Sequence, residues 1–181
     1  MTPGVTKKVL SLSFSVREES GFSMWNKPLS FLDRKKRPSS ASSDDLDDGI
    51  MNGDERFMRE ALLCAQASAE NGEVPVGAVI VKDGIIVSRG YNRRETDKNA
   101  LCHAELEAID SACRTLGGWR LWQCELYVTL EPCPMCAGAI INARIRRVVY
   151  GAQDPKAGSC GSVANLFELP YNHRPQLTGG V

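Results

Sequence analysis

The stretch Glu125-Leu126-Tyr127-Val128-Thr129-Leu130-Glu131-Pro132-Cys133-Pro134-Met135-Cys136 runs from a short apolar strand pattern into a cysteine pair spaced by two residues. Residues 125–130 read as a buried β-strand. The small, apolar residues 134–143 read as a packed helix that opens at Cys133. A strand delivering two cysteines to a helix start predicts a layered α/β domain, and the flanking sequence agrees. Upstream, residues 76–82 and 85–91 are β-rich runs joined at Lys82-Asp83-Gly84, an Asp-Gly hairpin signal. Residues 103–116 place Leu106, Ile109, Ala112 and Cys113 on one helical face. Residues 55–70 do the same with Phe57, Met58, Ala61, Leu62, Ala65 and Ala69, and Asp54 is expected to cap that helix. Downstream, residues 146–151 read as a buried strand and residues 176–181 as a last one.

A second segment, Cys102-His103-Ala104-Glu105-Leu106, completes the chemistry. At a helix start the backbone N–H groups and the helix dipole favour thiolates, so Cys133 and Cys136 can meet one cation. With the His103 imidazole they make three zinc ligands and leave the fourth tetrahedral position open to water, as in a catalytic site. Zinc lowers the pKa of such a water to about 7. Glu105, two residues after His103, is badly placed as a fourth ligand and well placed to shuttle that water's proton. Cys102 and Cys160 remain candidates for a fourth ligand, which would make the site structural. A lone Cys-x-x-Cys would also fit thiol redox chemistry, but that chemistry has no use for His103 and Glu105. The joint pattern, His-x-Glu followed by Pro-Cys-x-x-Cys, is the signature of zinc deaminases acting on nucleobases.

Composition sets the frame. The 181 residues are 43% hydrophobic and 24% charged, an ordinary balance for one globular domain with chain to spare. No apolar run approaches the roughly 20 residues that span a bilayer. Seven cysteines cannot close a disulfide framework without a remainder, and no secretory signal precedes them. A reducing, cytoplasmic setting is expected. The composition shifts near residue 53. Residues 1–53 carry a basic cluster, Arg34–Arg37, a serine run and the acidic stretch Asp44–Asp48, and are expected to form a low-complexity, disordered extension. An alternation from Leu10 to Val16 is strand-like but lacks an obvious partner. Residues 54–181 are expected to form the catalytic domain.

From about Arg56 to Val181 the chain resembles the bacterial tRNA-specific adenosine deaminases, a branch of the cytidine-deaminase-like zinc enzymes. The resemblance rests on Gly72–Ala78, Gly90–Arg93, His103–Glu105, Tyr127–Ala139 and Arg144–Ala152. Gly158–Ser162 and Asn172-His173-Arg174 point more narrowly to the tRNA enzymes. It implies a three-layer fold, a central five-stranded mixed sheet flanked by helices. It also implies one zinc per subunit, held by His103, Cys133 and Cys136, and a homodimer whose partner helps to shape the RNA site. The implied reaction is hydrolytic deamination of the wobble adenosine of a tRNA anticodon to inosine, with Glu105 moving protons to the adenine N1 and the leaving ammonia. Asn92 would bond the flipped base, though an Asx turn at the strand end explains it equally well. Val76 and Ala104 would wall the pocket. Asp154 and Lys156 would meet neighbouring nucleotides, or else form a polar Asp-Pro turn. The family continues past the position of Val181 into a C-terminal helix, which is expected to be missing here.

RNA binding must come from local charge, because residues 54–181 carry 14 basic and 15 acidic side chains. Arg144, Arg146 and Arg147 are the densest basic group and the candidate phosphate contacts, unless they simply face solvent beside the sheet. His173 has no partner spaced for a second metal and reads as a hydrogen-bonded structural histidine or a stacking contact. Trp119 and Trp122 read as core or interface residues, and Cys64 and Cys113 as buried. Two other functions fit the same motifs. One is a zinc deaminase of a free base or nucleoside such as guanine or cytosine. The other is an inactive, zinc-folded binding module.

Overall fold

Asp83 and Gly84 both take positive φ, 51° and 76°, the backbone of the tight turn expected between two twisted strands. They join β1 (Gly77–Lys82) to β2 (Ile85–Tyr91), which pair antiparallel with Gly77 opposite Tyr91. The computed structural model describes residues 53–181; the low-complexity extension and the Leu10–Val16 alternation expected from the sequence lie outside the described residues. The remaining elements are α1 (Gly53–Glu70), α2 (Ala104–Leu116), β3 (Cys124–Leu130), α3 (Pro134–Ala143), β4 (Arg147–Ala152) and β5 (Gln176–Gly179), with a 3-10 turn at Leu166–Glu168.

The strands form one mixed sheet in the order β2-β1-β3-β4-β5. β1 is antiparallel to both of its neighbours, whereas β3, β4 and β5 run parallel. Alternation along β1 shows why helices cover both faces. Ala78 and Ile80 join Leu126, Val128 and Val148 beneath α2 and α3. Val79 and Val81 join Tyr127 and Val149 beneath Phe57, Met58 and Ala61 of α1. A strand buried on both faces reads as a continuous apolar run, and β1 does. The expected three-layer α/β/α domain is the fold observed.

Several local expectations shift. Asp54 does not cap α1, because the helix already begins at Gly53 and the Asp54 carboxylate is drawn elsewhere. Arg147 donates to its Oδ1 and Oδ2 at 2.8 and 2.6 Å, and the Tyr127 hydroxyl donates to Oδ1 at 2.9 Å. β5 stops at Gly179 rather than Val181, and Val181 packs beside the α1 cluster. Trp119 and Trp122 are exposed, so neither is a core residue of this chain, and Cys113 is only half-buried. No described helix is long and apolar enough to cross a membrane.

The topology decides where function can sit. Since β1 opposes β2 and β3, its start meets the ends of both, and the end of β4 lies beside the end of β3. One edge of the sheet therefore collects Val76, Asn92, Glu131 and Asp154 from four separate strand termini. The first turn of α2 reaches the same edge because it packs directly on β2. A Cβ at Gly90 would run into the Ala104 carbonyl and the Ala108 amide, so only glycine permits that approach.

Candidate metal centre and active site

Two helices begin at this edge, and each begins with a ligand. His103 is the N-cap of α2, with extended backbone at φ −85° and ψ 149°. Cys133 is the N-cap of α3, also extended, and Pro134 occupies the first helical position, where a missing N–H costs nothing. Cys136 lies three residues on, in the first turn and buried. Neither cap side chain makes a capping hydrogen bond, and the two face one another. The His103 Nδ1 lies 3.8 Å from the Cys133 Sγ and 3.6 Å from the Cys136 Sγ. Tetrahedral zinc with its usual bond lengths separates such nitrogen and sulfur atoms by about 3.6 Å. Among the described residues this trio is the group of metal-ligating side chains with that spacing. Cys102 is not part of it, since its thiol turns to Asp97 at 3.7 Å, and Cys160, though buried nearby, is not in the group either.

The electrostatics favour a cation. A hydrogen bond from the Cys136 thiol pulls the Cys133 thiol down to about 4, and the same contact pushes Cys136 far up. The two sulfurs share a single proton, the situation a dication resolves by satisfying both. The hydrogen bond to Cys133 also raises the His103 pKa. Glu105, in the first turn of α2, is buried, and that burial raises its pKa. It thus stands beside the trio as a carboxyl group readied to hold a proton.

A cavity of about 200 Å³ opens onto these groups. That is below the about 300–1,000 Å³ of drug-sized ligand sites and suits one ring system. His103, Ala104, Glu105 and Cys133 line it, as do Val76, Asn92 and Asp154. Asn92 is buried, with its Nδ2 donating to the Val74 carbonyl at 3.3 Å. Asp154 lines the wall and also makes the turn that its sequence suggested, for its Oδ1 accepts the Lys156 and Ala157 amides at 2.9 and 3.2 Å. Lys156 is exposed and does not line the cavity.

The arginine triplet is not brought here. Arg147 pairs with Asp54 and Glu125, and Arg146 with Glu125. Both precede or open β4, five residues and about 17 Å from its end at the cavity. Arg144 takes a left-handed conformation after α3 and donates to the Ile141 carbonyl at 2.9 Å. Their side chains serve the fold at the edge opposite the cavity. His173 accepts the structural reading, bonding the Ile145 carbonyl at 2.7 Å.

Residues that the sequence did not mark as pocket walls also line the cavity: Val74, Arg94, Leu130, Glu131 and Ala157. Arg94 is half-exposed and forms an ion pair with its neighbour Glu95. Two buried carboxylates tie down the surrounding loops. Glu73 accepts the Thr96 and Glu95 amides at 2.6 and 3.1 Å. Burial pushes the Glu131 carboxyl up, but hydrogen bonds from Ser162, Asp154 and Cys160 outweigh it and hold the group ionised. An acidic residue before proline carries no sequence sign of such a role.

Known proteins resemble this chain in sequence and fold. The tRNA-specific adenosine deaminase of Bacillus subtilis (strain 168) is 50% identical over 132 residues, covering 72% of this chain and 82% of that protein. A solved structure from work on A-to-I editing by tRNA:A34 deaminases at the wobble position superposes with a TM-score of 0.68 at 47% identity, covering 70% of this chain and 92% of the other. The guanine deaminase of Bacillus subtilis superposes with a TM-score of 0.54 at 45% identity over 57% of this chain and 66% of its own. Residues 51–152 match the zinc-binding region of cytidine and deoxycytidylate deaminases, and with a ligand trio of zinc spacing at two helix starts the chain belongs to that zinc-dependent deaminase family.

Proposed function

We propose that this chain hydrolyses adenosine to inosine at the wobble position of a tRNA anticodon, and that residues 54–181 are its catalytic domain. The observation that carries the reading is the His103, Cys133 and Cys136 trio with buried Glu105 beside it, all opening on one base-sized cavity. The likeness to tRNA adenosine deaminases at 50% and 47% identity supports adenosine in tRNA as the substrate.

In this reading the His103 Nδ1 and the two sulfurs would hold zinc, which would supply Lewis acidity and lower the pKa of a water to near neutral. Glu105 takes the proton released as water attacks C6 and delivers it to N1. It then serves the departing amino group, so the C6–N bond breaks, a C6–O bond forms and ammonia leaves. Asn92 holds the base edge, while Val76 and Ala104 wall the ring. Asp154 and Lys156 sit where flanking nucleotides would pass. The chain acts as a homodimer in the cytoplasm, a setting that its seven unpaired cysteines suit.

The test is nucleoside mass spectrometry after incubating zinc-loaded protein with an anticodon stem-loop bearing adenosine at the wobble position, with free guanine in parallel. Inosine at that base alone is the expected product, from protein sedimenting at twice its 19.8 kDa chain mass. Xanthine without inosine would transfer the reading to a free-base deaminase, and zinc-loaded protein yielding neither would make it a binding module.

A further inference from the structure

Glu131 is 2% exposed, yet it is ionisable and is neither a member of the ligand trio nor the proton carrier. A buried carboxylate survives only when its oxygens are satisfied. Here both are, by one segment. Oε1 accepts the Cys160 and Ser162 amides at 2.9 and 3.0 Å. Oε2 accepts the Asp154 amide at 3.1 Å and the Ser162 hydroxyl. The neighbouring Pro132 carbonyl accepts the Ser159 amide at 2.9 Å. Gly158 lies flat on the carboxylate, where a Cβ would collide with Glu131 Cδ and Oε2. The segment so gathered, residues 154–162, supplies Asp154 and Ala157 to the cavity wall.

We propose that Glu131 is a positioning residue: it fixes residues 154–162 as the substrate-facing wall and, two residues before Cys133, locks that wall to the metal centre. A carboxylate with four donors on it has no equal among neutral side chains. Glutamine at this position turns an N–H₂ toward at least one donor and leaves that donor buried without an acceptor. The wall then loosens while the ligand trio keeps its own helix starts.

The kinetic arm of the test rests on the deaminase reading, whereas the exchange arm does not. Glu131→Gln and Ser162→Ala are compared with the parent, full-length and zinc-loaded, by amide hydrogen exchange and by stem-loop kinetics. In Glu131→Gln, exchange at Asp154, Cys160 and Ser162 is expected to quicken about tenfold or more, the size of one buried unpaired donor. Amides of α2 and α3 should hold, with one zinc per chain. KM should rise about tenfold with kcat within about threefold, because only substrate binding is touched. Ser162→Ala, at an exposed position that loses one bond, should move the same amides by about threefold. Unchanged exchange at those amides in both variants would overturn the proposal, and so would an unchanged KM. Uniform loosening of the domain with loss of zinc in both would make Glu131 a general fold residue instead.

Discussion

Glu105 is buried in the first turn of α2, so any proton it carries is shielded from bulk water and delivered only to what occupies the cavity. Replacing it with alanine removes the carrier and leaves the three ligand side chains in place. Single-turnover deamination should fall by about 10²–10⁴ while zinc content stays at one per chain. An undiminished rate would remove Glu105 from the chemistry. Its position beside the trio was legible in the sequence because a short spacing from His103 fixes the geometry within one helical turn. Glu131 was not legible. Its donors lie 23 to 31 residues away, and only the parallel pairing of β3 with β4 carries them back over it. Likewise, three arginines in four positions reveal density of charge but not destination, since Asp54 is 93 residues from Arg147.

At the scale of elements, the start of α1 is bolted to the start of β4 by the bidentate Asp54–Arg147 pair, both partners mostly buried. The hydrogen bonds from Arg147 hold the Asp54 carboxyl below the ordinary carboxylate range. A folded-state pKa below the unfolded one means the pair stabilises fully above about pH 4 and loses that contribution as pH falls through the folded value. Asp54→Asn should therefore cost about 1 kcal/mol at pH 7, the upper range for ion pairs that are not fully buried. The gap to the parent should close below pH 4 in urea melts across pH 3–7. A gap constant with pH would mean that packing, not charge, holds the helix start. Element boundaries were readable where local chemistry sets them. The Asp83-Gly84 turn and the Pro134 helix start are such places, whereas Asp54 was misassigned because a distant arginine outbids a local cap.

Across the whole described domain, the arginines at the two ends of the sheet meet different partners. Arg146 and Arg147 are spent on Glu125 and Asp54, while Arg94 stands half-exposed at the cavity in an ion pair with Glu95. Each phosphate neutralised adds roughly 0.7–0.9 to the slope of log affinity against log salt. Arg94→Ala should lower that slope for the anticodon stem-loop by about one such increment. Arg147→Ala should leave the slope alone and lower the melting temperature. The reverse pattern would return RNA binding to the triplet. Net charge could not foretell this division, because 14 basic and 15 acidic groups nearly cancel and only the fold decides which arginine lines the cavity.

The separation of about 17 Å along β4 has a practical corollary. Substitutions more than about 7–10 Å apart with no shared partners tend to add. The ion-pair edge is thus a reserve in which stability can be raised without disturbing the cavity. An altered base specificity, obtained by recutting Val76, Ala104 or Asn92 at some loss of robustness, can be made good there, one independent substitution at a time.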